Sequence, residues 1–308
     1  MTFNYRKSVS YFLVSICVFI FSACVTSEAP PARAKIRPTP VSLPIMNSKA
    51  AQLVQLTAAD EKRMTLQILP DVQKDYPPLK DSFVQDYVTQ LGQRLVGASG
   101  FMHDYEFTFT VVKSIKINSF SLPGGAVFVT TGLIGLMGSE AELAGVIGHE
   151  IGHVKSRDAA LRLEESRDTE GRLDWYVPGG GIPNEVEAFR PGIGGPGLLV
   201  QKYYFMDHTP EQEIAADKFG YMAALNANFN KEYIGLFFSR LFKINNDTKT
   251  LGVLADAVMS HQPSSARIAQ LQLLAVESPA PKEQALVSGT NFKIVQTACK
   301  DANKRPAK

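Results

Sequence analysis

The chain has 308 residues, 45% of them hydrophobic, and a formal net charge of +2 at pH 7. This length accommodates one large domain or two small ones. The charge is nearly neutral and no basic run is long enough to argue for binding to nucleic acid. The cysteines are Cys17, Cys24 and Cys299. Because Cys17 lies in a predicted export signal and Cys24 is predicted to carry a lipid, Cys299 is left alone, and we expect no intramolecular disulfide bond.

Residues 1–23 have the layout of a bacterial secretion signal. Basic residues precede an apolar run over residues 11–21, which is shorter than the about 20 residues of a membrane-spanning helix. The segment ends in the letters FSAC and resembles a lipobox, in which the cysteine, here Cys24, carries the lipid. A soluble secreted protein and an uncleaved anchor are the alternatives. Because Val25 rather than aspartate follows, resemblance to sorted lipoproteins implies anchoring in the outer membrane, facing the periplasm.

The remaining chain divides into a tether, a domain and a tail. Residues 24–54 contain several prolines and predict an extended tether. A folded domain is predicted over residues 55–277, followed by a C-terminal tail over residues 278–308. Within the domain, residues 171–197 are rich in glycine and proline. They form either a flexible surface insertion or a mobile lid beside the site, because they join two segments that carry candidate metal ligands.

The predicted elements alternate without a regular βα pattern. Apolar residues at helical spacing predict helices over residues 57–69 and 81–96, and residues 105–117 and 126–133 then predict strands. Further helices are predicted over residues 211–227, 231–242 and 266–275, and the apolar run over residues 292–295 is consistent with a short strand. This order predicts an α+β fold, mainly helical, with a small β-sheet beside the motif helix described next.

The pattern His-Glu-x-x-His occurs at His149, Glu150 and His153. In a helix the two histidines project from one face, one turn apart, where two imidazoles can bind one zinc ion. Glu150 lies where its carboxylate can reach a water molecule at that ion and act as the general base. The alternative is a buried helix with two hydrogen-bonded core histidines.

The flanking residues support a helix at this motif. Ser139 followed by Glu142 predicts a capping box at its start. Glycines are poor helix formers, so their repetition within one helix indicates close packing against another backbone. The glycines are Gly145, Gly148 and Gly152.

A catalytic zinc ion usually has a third protein ligand. A metzincin would place a histidine six residues after His153, but that position is Ala159, which excludes the class. The favoured ligand is Glu213, because Asp217 follows it on the same helix face and can accept a hydrogen bond from a ligand histidine. An exposed acidic helix face is the alternative. Other candidates for the third ligand lie closer to the motif in sequence and are Glu164, Glu165 and Glu170.

Residues 118–154, together with the paired motifs, closely resemble the HtpX/BepA-like zinc metallopeptidases, which are gluzincins related to the CAAX prenyl protease. The resemblance covers roughly residues 55 to 275 and implies a gluzincin domain. It implies one Zn²⁺ ion held by His149, His153 and Glu213. Glu150 is then the general base, and Asp217 accepts a hydrogen bond from a ligand histidine. With no apolar span after residue 23, the chain resembles the periplasmic lipoprotein branch.

The resemblance also implies a role for His261 and Arg267, which precede and begin the last predicted helix. In BepA-like relatives the matching histidine can occupy the fourth coordination position of the zinc ion and keep the enzyme inactive. In membrane relatives the matching histidine and arginine are placed to stabilise the transition state. A solvated loop histidine is the alternative, since Gln262 separates His261 from Pro263 here.

The function predicted from these features is hydrolysis of peptide bonds in unfolded or misassembled envelope polypeptides. In gluzincins an edge strand pairs with the extended substrate, and residues 126–133 are the candidate strand; an interior strand is the alternative. The rival function is a chaperone-like assembly factor with a mostly latent zinc site. The outer-membrane assembly machinery is a candidate partner, and nucleic acid is not.

Overall fold

The computed structural model describes residues 57–101, 105–165, 208–245, 261, 263–280 and 284–304. The predicted signal peptide, the lipidation site at Cys24, the tether and the insertion over residues 171–197 lie outside these residues. The same holds for Glu170 and for the side chains of Glu164 and Glu165. Within the described ranges, no helix combines the length and the apolar character needed to cross a membrane.

Two helices begin the described part of the chain, α1 over Ala58–Asp75 and α2 over Ser82–Ser99. Thr57 and Asp60 form a capping box at the start of α1, and Asp81 caps α2. Both predicted helices are confirmed. α1 continues beyond its predicted end because Ile68 and Val72, one turn apart, keep the same face buried.

A sheet of three strands follows, with β1 over Thr108–Val112, β2 over Ser119–Leu122 and β3 over Ala126–Thr130. β3 lies between the other two strands, parallel to β1 and antiparallel to β2. A tight turn over Pro123–Gly125 joins β2 to β3. Helix α3, over Thr131–Leu136, begins where β3 ends.

The predicted edge strand over residues 126–133 is therefore wrong in two respects. Its strand ends at Thr130, and both of its sides are paired within the sheet. The outer side of β1 is covered by α2, where Gln85 exchanges hydrogen bonds with Val111 and Gln93 donates to the carbonyl of Phe107. β2 is thus the strand that can offer an edge.

The carbonyl of Ser119 defines the outer side of β2. Asn118 pairs with Thr130 of β3, through a bond of 3.1 Å from the Thr130 amide to the Asn118 carbonyl. Because successive residues of a strand point their amide and carbonyl groups to opposite sides, the groups of Ser119 face away from β3. This edge lies beside the motif helix, since the Ser119 hydroxyl contacts Glu150.

The motif helix, α4, runs over Glu140–Ser156 and is buried along its first four turns. Ser139 caps it by accepting a hydrogen bond of 3.2 Å from the Glu142 amide. The reciprocal half of the predicted capping box is wrong. The Glu142 carboxylate accepts from the amide of Gly138 and pairs with Arg240, and a carboxylate drawn toward that guanidinium does not turn back to Ser139.

The helix that carries the second motif, α6 over Pro210–Asn226, crosses α4 at very short range. A Cβ atom added at Gly148 would lie 2.8 Å from the backbone of Gly220, and one added at Gly152 would lie 2.9 Å from the Cα of Ala216. Glycine is needed here because the two backbones touch. The predicted packing of these glycines against another backbone is confirmed, and it brings both motifs together.

The other elements complete the core around α4 and α6. They are α5 over Asp158–Glu165, α7 over Lys231–Ile234, α8 over Leu236–Asn245, α9 over Ser265–Glu277 and α10 over Phe292–Lys304. The large core cluster joins α2, one face of the sheet, α3, α4 and the helices from α6 onward. A smaller cluster packs α1 against the other face. The structure is thus the predicted α+β fold, mainly helical with a small sheet.

The short strand suggested by residues 292–295 is wrong, because this segment begins α10. Phe292, Val295, Gln296 and Cys299 share its buried face, which is a helical spacing. The apolar run is too short to show this period by itself. Cys299 lies in the core, where burial raises the pKa of its thiol to about 12, so the thiol stays protonated and unreactive.

Candidate metal centre

Five predicted site residues meet between α4 and α6. His149 and His153 extend from α4, Glu213 and Asp217 extend from α6, and His261 reaches in from the segment before α9; all are buried. The nitrogen and carboxylate oxygen atoms that His149, His153, Glu213 and His261 can offer to a metal ion lie within 4.8 Å of one another. The fold therefore places the residues of two distant motifs in one cluster.

The two motif histidines point their Nε2 atoms at each other, 3.0 Å apart. Glu213 approaches both, with one oxygen 3.5 Å from Nε2 of His149 and the other 3.4 Å from Nε2 of His153. Two ring nitrogens and a carboxylate thus surround one point, and this set of atoms can hold a metal ion.

The far nitrogen of each histidine is held by a carboxylate. Nδ1 of His149 lies 2.8 Å from Asp217, as predicted from the sequence, and Nδ1 of His153 lies 2.8 Å from Asp158. Carboxylates accept hydrogen bonds, so both Nδ1 atoms donate. Two lone pairs on the Nε2 atoms cannot face each other at 3.0 Å without a proton or a metal ion between them. The residues present thus fit a bound cation.

The charges of the cluster agree with this picture. Burial lowers the pKa of His149, although Glu213 opposes the change. Burial also opposes a charge on His153, but hydrogen bonds to Asp158 and Glu213 outweigh it and raise the pKa to about 9. Burial likewise works against the charge of Glu213, but the neighbouring His261 and His149 hold its pKa well below the usual value. The raised pKa of His153 agrees with a proton between the two Nε2 atoms when no metal ion is bound.

We expect the affinity for zinc to increase with pH in the physiological range. The raised pKa of His153, about 9, means that its proton is present at neutral pH and must leave before a metal ion binds. Each unit of pH below that value then weakens binding by up to about tenfold. Competition with a chelator of known proton affinity measures this between about pH 6 and pH 8. A flat profile would contradict the proton on His153.

Glu150 is fully buried beside the cluster. Its Oε1 accepts a hydrogen bond of 2.6 Å from the Ser119 hydroxyl. Its Oε2 has no hydrogen-bond partner in the described part of the chain. One oxygen is therefore fixed, and the other is free to accept a proton.

His261 is not a solvated loop residue, so that alternative is wrong. Its Nε2 donates to the outward-facing carbonyl of Ser119 at 3.2 Å, and its Nδ1 lies 2.9 Å from Glu213 and 3.2 Å from Nε2 of His149. With Nε2 as the donor, Nδ1 can present a lone pair to a metal ion. Burial opposes a charge on this ring, but Glu213 and Glu150 outweigh it and raise its pKa.

Arg267 holds the acidic groups of α6 in place. Its Nε donates at 2.7 Å to Oδ2 of Asp217, and its Nη2 donates at 2.7 Å to Oδ1. Its Nη1 lies 2.5 Å from Glu213. Arg267 and His261 are thus both in the cluster, but Arg267 contacts it through the two carboxylates of α6.

Several residues around the cluster were missed by sequence reasoning. Thr209 and Gln212 form a capping box at the start of α6, with Pro210 in its first turn, so the Thr209-Pro210 pair has a structural role. Asp158 bonds His153, and His208 stacks on the same ring with centroids 3.6 Å apart. The capping pattern was visible in the sequence, whereas the contacts of Asp158 and His208 depend on the tertiary fold.

The helix with two histidines, the glutamate beside them and the acidic helix that crosses it define a metalloendopeptidase. A family model for peptidase family M48 matches residues 82–275, which is most of the described domain. The chain belongs to peptidase family M48.

Its relatives are larger proteins. The chain is 25% identical over 224 residues to a beta-barrel assembly-enhancing protease of Escherichia coli, a match that covers 72% of this chain and 45% of the relative. It is 40% identical over 172 residues to the mitochondrial metalloendopeptidase OMA1 of Arabidopsis thaliana, covering 55% of this chain and 32% of the relative. The chain thus spans less than half the length of these relatives.

Proposed function

We propose that the chain is a zinc endopeptidase in which His149, His153 and Glu213 bind the metal ion. The observation that carries this proposal is the approach of two Nε2 atoms to 3.0 Å with a carboxylate beside them. A zinc ion bound there would polarise the scissile carbonyl and lower the pKa of water to about 7. Both histidines are oriented for this by Asp217 and Asp158.

Glu150 is the general base of the proposed reaction. The Ser119 hydroxyl fixes one of its oxygens, which leaves the unpartnered Oε2 to take a proton from the attacking water. The same oxygen then returns the proton to the leaving amine. Because the Ser119 hydroxyl already holds the carboxylate, it needs no rearrangement during attack. The buried surroundings also keep bulk water away from this transfer.

The substrates we propose are extended or unfolded polypeptides of the bacterial envelope. The backbone groups of Ser119 point away from β3 at the edge of β2, beside Glu150, so a chain that paired with this edge in place of His261 would carry its backbone past the cluster. A signal peptide over residues 1–23 and a lipid at Cys24 would place the enzyme in the periplasm, at the outer membrane. The name of the Escherichia coli relative links that protein to beta-barrel assembly.

The test is hydrolysis of an unfolded outer-membrane β-barrel protein by the zinc-loaded chain. The same substrate, folded in detergent, serves as the comparison, because its strands are already paired. We expect cleavage of the unfolded form alone, removal of cleavage by a chelator and its return with zinc. Cleavage that survives complete removal of metal would contradict the proposed mechanism.

A second candidate function is an assembly factor whose zinc site is mostly latent. The position of His261 favours it, because this ring covers both the cluster and the outward carbonyl of Ser119. In cells that lack the protein, the wild type and Glu150→Gln would then restore envelope integrity equally well. Restoration by the wild type alone would favour the peptidase.

We propose that His261 occupies the fourth metal position and blocks the site until it moves away. Replacement by alanine should therefore increase cleavage several-fold, since an open position is what catalysis needs. Self-cleavage in cells and cleavage by purified protein both measure this. Leu273→Ala, at an exposed position of α9, is the matched control. A loss of about 100-fold would instead assign His261 to transition-state stabilisation.

A further inference from the structure

Asp158 touches both helices that carry the candidate metal ligands. It is buried and begins α5, two residues after the last residue of α4. Its Oδ2 lies 2.8 Å from Nδ1 of His153 on α4, and its Oδ1 accepts a hydrogen bond of 2.9 Å from Nε2 of Gln212 on α6. A single carboxylate therefore joins α4 to α6, with one oxygen for each helix.

Gln212 connects this contact to the third ligand. It lies next to Glu213, in the first turn of α6, and its Oε1 accepts a hydrogen bond of 2.8 Å from the amide of Thr209. The backbone amide of Gln212 donates to the hydroxyl of Thr209, which completes the cap. The side chain of Gln212 is thus fixed at one end by the helix cap and at the other by Asp158.

The turn before Asp158 is held from a third direction. Arg157 ends α4 in the left-handed conformation, with φ of 62°, and its Nε donates at 2.5 Å to the buried carboxylate of Glu61 on α1. Glu61 also accepts from the hydroxyl of Tyr105 and the amide of Gly124. A non-glycine residue stays in this conformation only when its surroundings impose it. The turn that carries Asp158 is therefore held in place by contacts within the protein.

We propose that Asp158 is a positioning residue that sets the distance between His153 and Glu213 before metal binds. The inference rests on the proposed zinc site. Both partners of Asp158 are donors, so two acceptor oxygens are required. An asparagine would present an amide group to one of them and would break one half of the bridge. The competing explanation is that an acidic residue at Asp158 only stabilises the start of α5.

Two substitutions separate these explanations. Asp158→Asn removes one acceptor and should weaken zinc binding by about 10–100-fold, as the loss of an outer hydrogen bond to a ligand does. Gln212→Glu keeps a good capping residue in the first turn of α6 but places a second carboxylate against Asp158. It should weaken zinc binding by about tenfold, although the sequence of α5 is unchanged. Glu211→Gln, at the exposed neighbouring position, is the matched control and should have no effect.

The readouts are the zinc dissociation constant from chelator competition and the visible spectrum of the cobalt-substituted protein, which reports ligand geometry. The thermal unfolding temperature of the metal-free protein shows whether each variant folds. Weaker zinc binding and a changed cobalt spectrum in Gln212→Glu, with unchanged metal-free stability, would support the bridge. Zinc affinity within twofold of wild type in Gln212→Glu would overturn it, even if Asp158→Asn failed to fold. Absence of zinc binding in the wild type would instead refute the proposed zinc site.

Discussion

Glu150→Gln is expected to reduce cleavage of an unfolded protein by at least about 100-fold. The amide has the size and shape of the carboxylate, and the Ser119 hydroxyl can still donate to its oxygen in place of Oε1 of Glu150. The nitrogen then takes the place of the unpartnered Oε2. It has no lone pair to accept a proton at neutral pH, so the attacking water is not activated.

The measurement is the initial rate of cleavage at matched zinc content, with elemental analysis of both proteins. Ser119→Ala provides a graded comparison, because it leaves the carboxylate and removes only the hydrogen bond that fixes it. We expect a smaller loss for that variant than for Glu150→Gln. Activity of Glu150→Gln within a few-fold of wild type, with zinc retained, would remove Glu150 from the role of base.

Glu213→Ala is expected to remove most of the bound zinc. The wild type should hold about one zinc ion per chain, and the variant should lose it on dialysis, because Glu213 is the only carboxylate among the proposed ligands and only histidines remain. His149→Ala and His153→Ala should behave in the same way. Elemental analysis after dialysis measures the content, and circular dichroism shows whether the fold is retained.

The choice of Glu213 has a useful control in the same turn. Glu211→Gln removes a negative charge from the exposed side of α6 and should leave zinc content unchanged. Comparison of the two variants separates the loss of a ligand from a general change of charge. Full zinc occupancy in Glu213→Ala would move the third ligand elsewhere, with Glu170 as the next candidate.

The parts of the site that follow from spacing could be predicted from the sequence. His149 and His153 are one helical turn apart, so local geometry alone places them on one face. The glycines Gly148 and Gly152 are unfavourable in an isolated helix, and contact with Gly220 and Ala216 is their physical reason. In these places local sequence and tertiary packing require the same arrangement.

Strand order could not be predicted from the sequence. β2 has only four residues, Ser-Phe-Ser-Leu, and an alternation this short does not distinguish a strand from a loop. Its presence turns β3 into the central strand and makes β2 the outer strand on that side of the sheet. The covering of β1 by Gln85 and Gln93 also depends on contacts between distant segments. Strand pairing of this kind depends on long-range packing that no single segment encodes.

The contacts of Asp158 show the same limit at the site itself. An aspartate after a helix indicates the start of the next helix, and Asp158 does begin α5. Nothing in its local sequence indicates that its two oxygens bond His153 and Gln212. These bonds exist because Arg157 turns the chain and because α6 approaches α4 closely. The sequence identifies the candidate ligands, and the tertiary fold identifies the groups that orient them.

The most direct test of the central claim is a crystal structure of the zinc-loaded protein with anomalous data collected at the zinc edge. We predict one strong anomalous peak about 2.0–2.2 Å from Nε2 of His149, Nε2 of His153 and an oxygen of Glu213. Ligand atoms of His153, Asp158 and His208 also lie close enough together to hold a metal ion. A peak at that second group, or one without Glu213 among its ligands, would contradict the account.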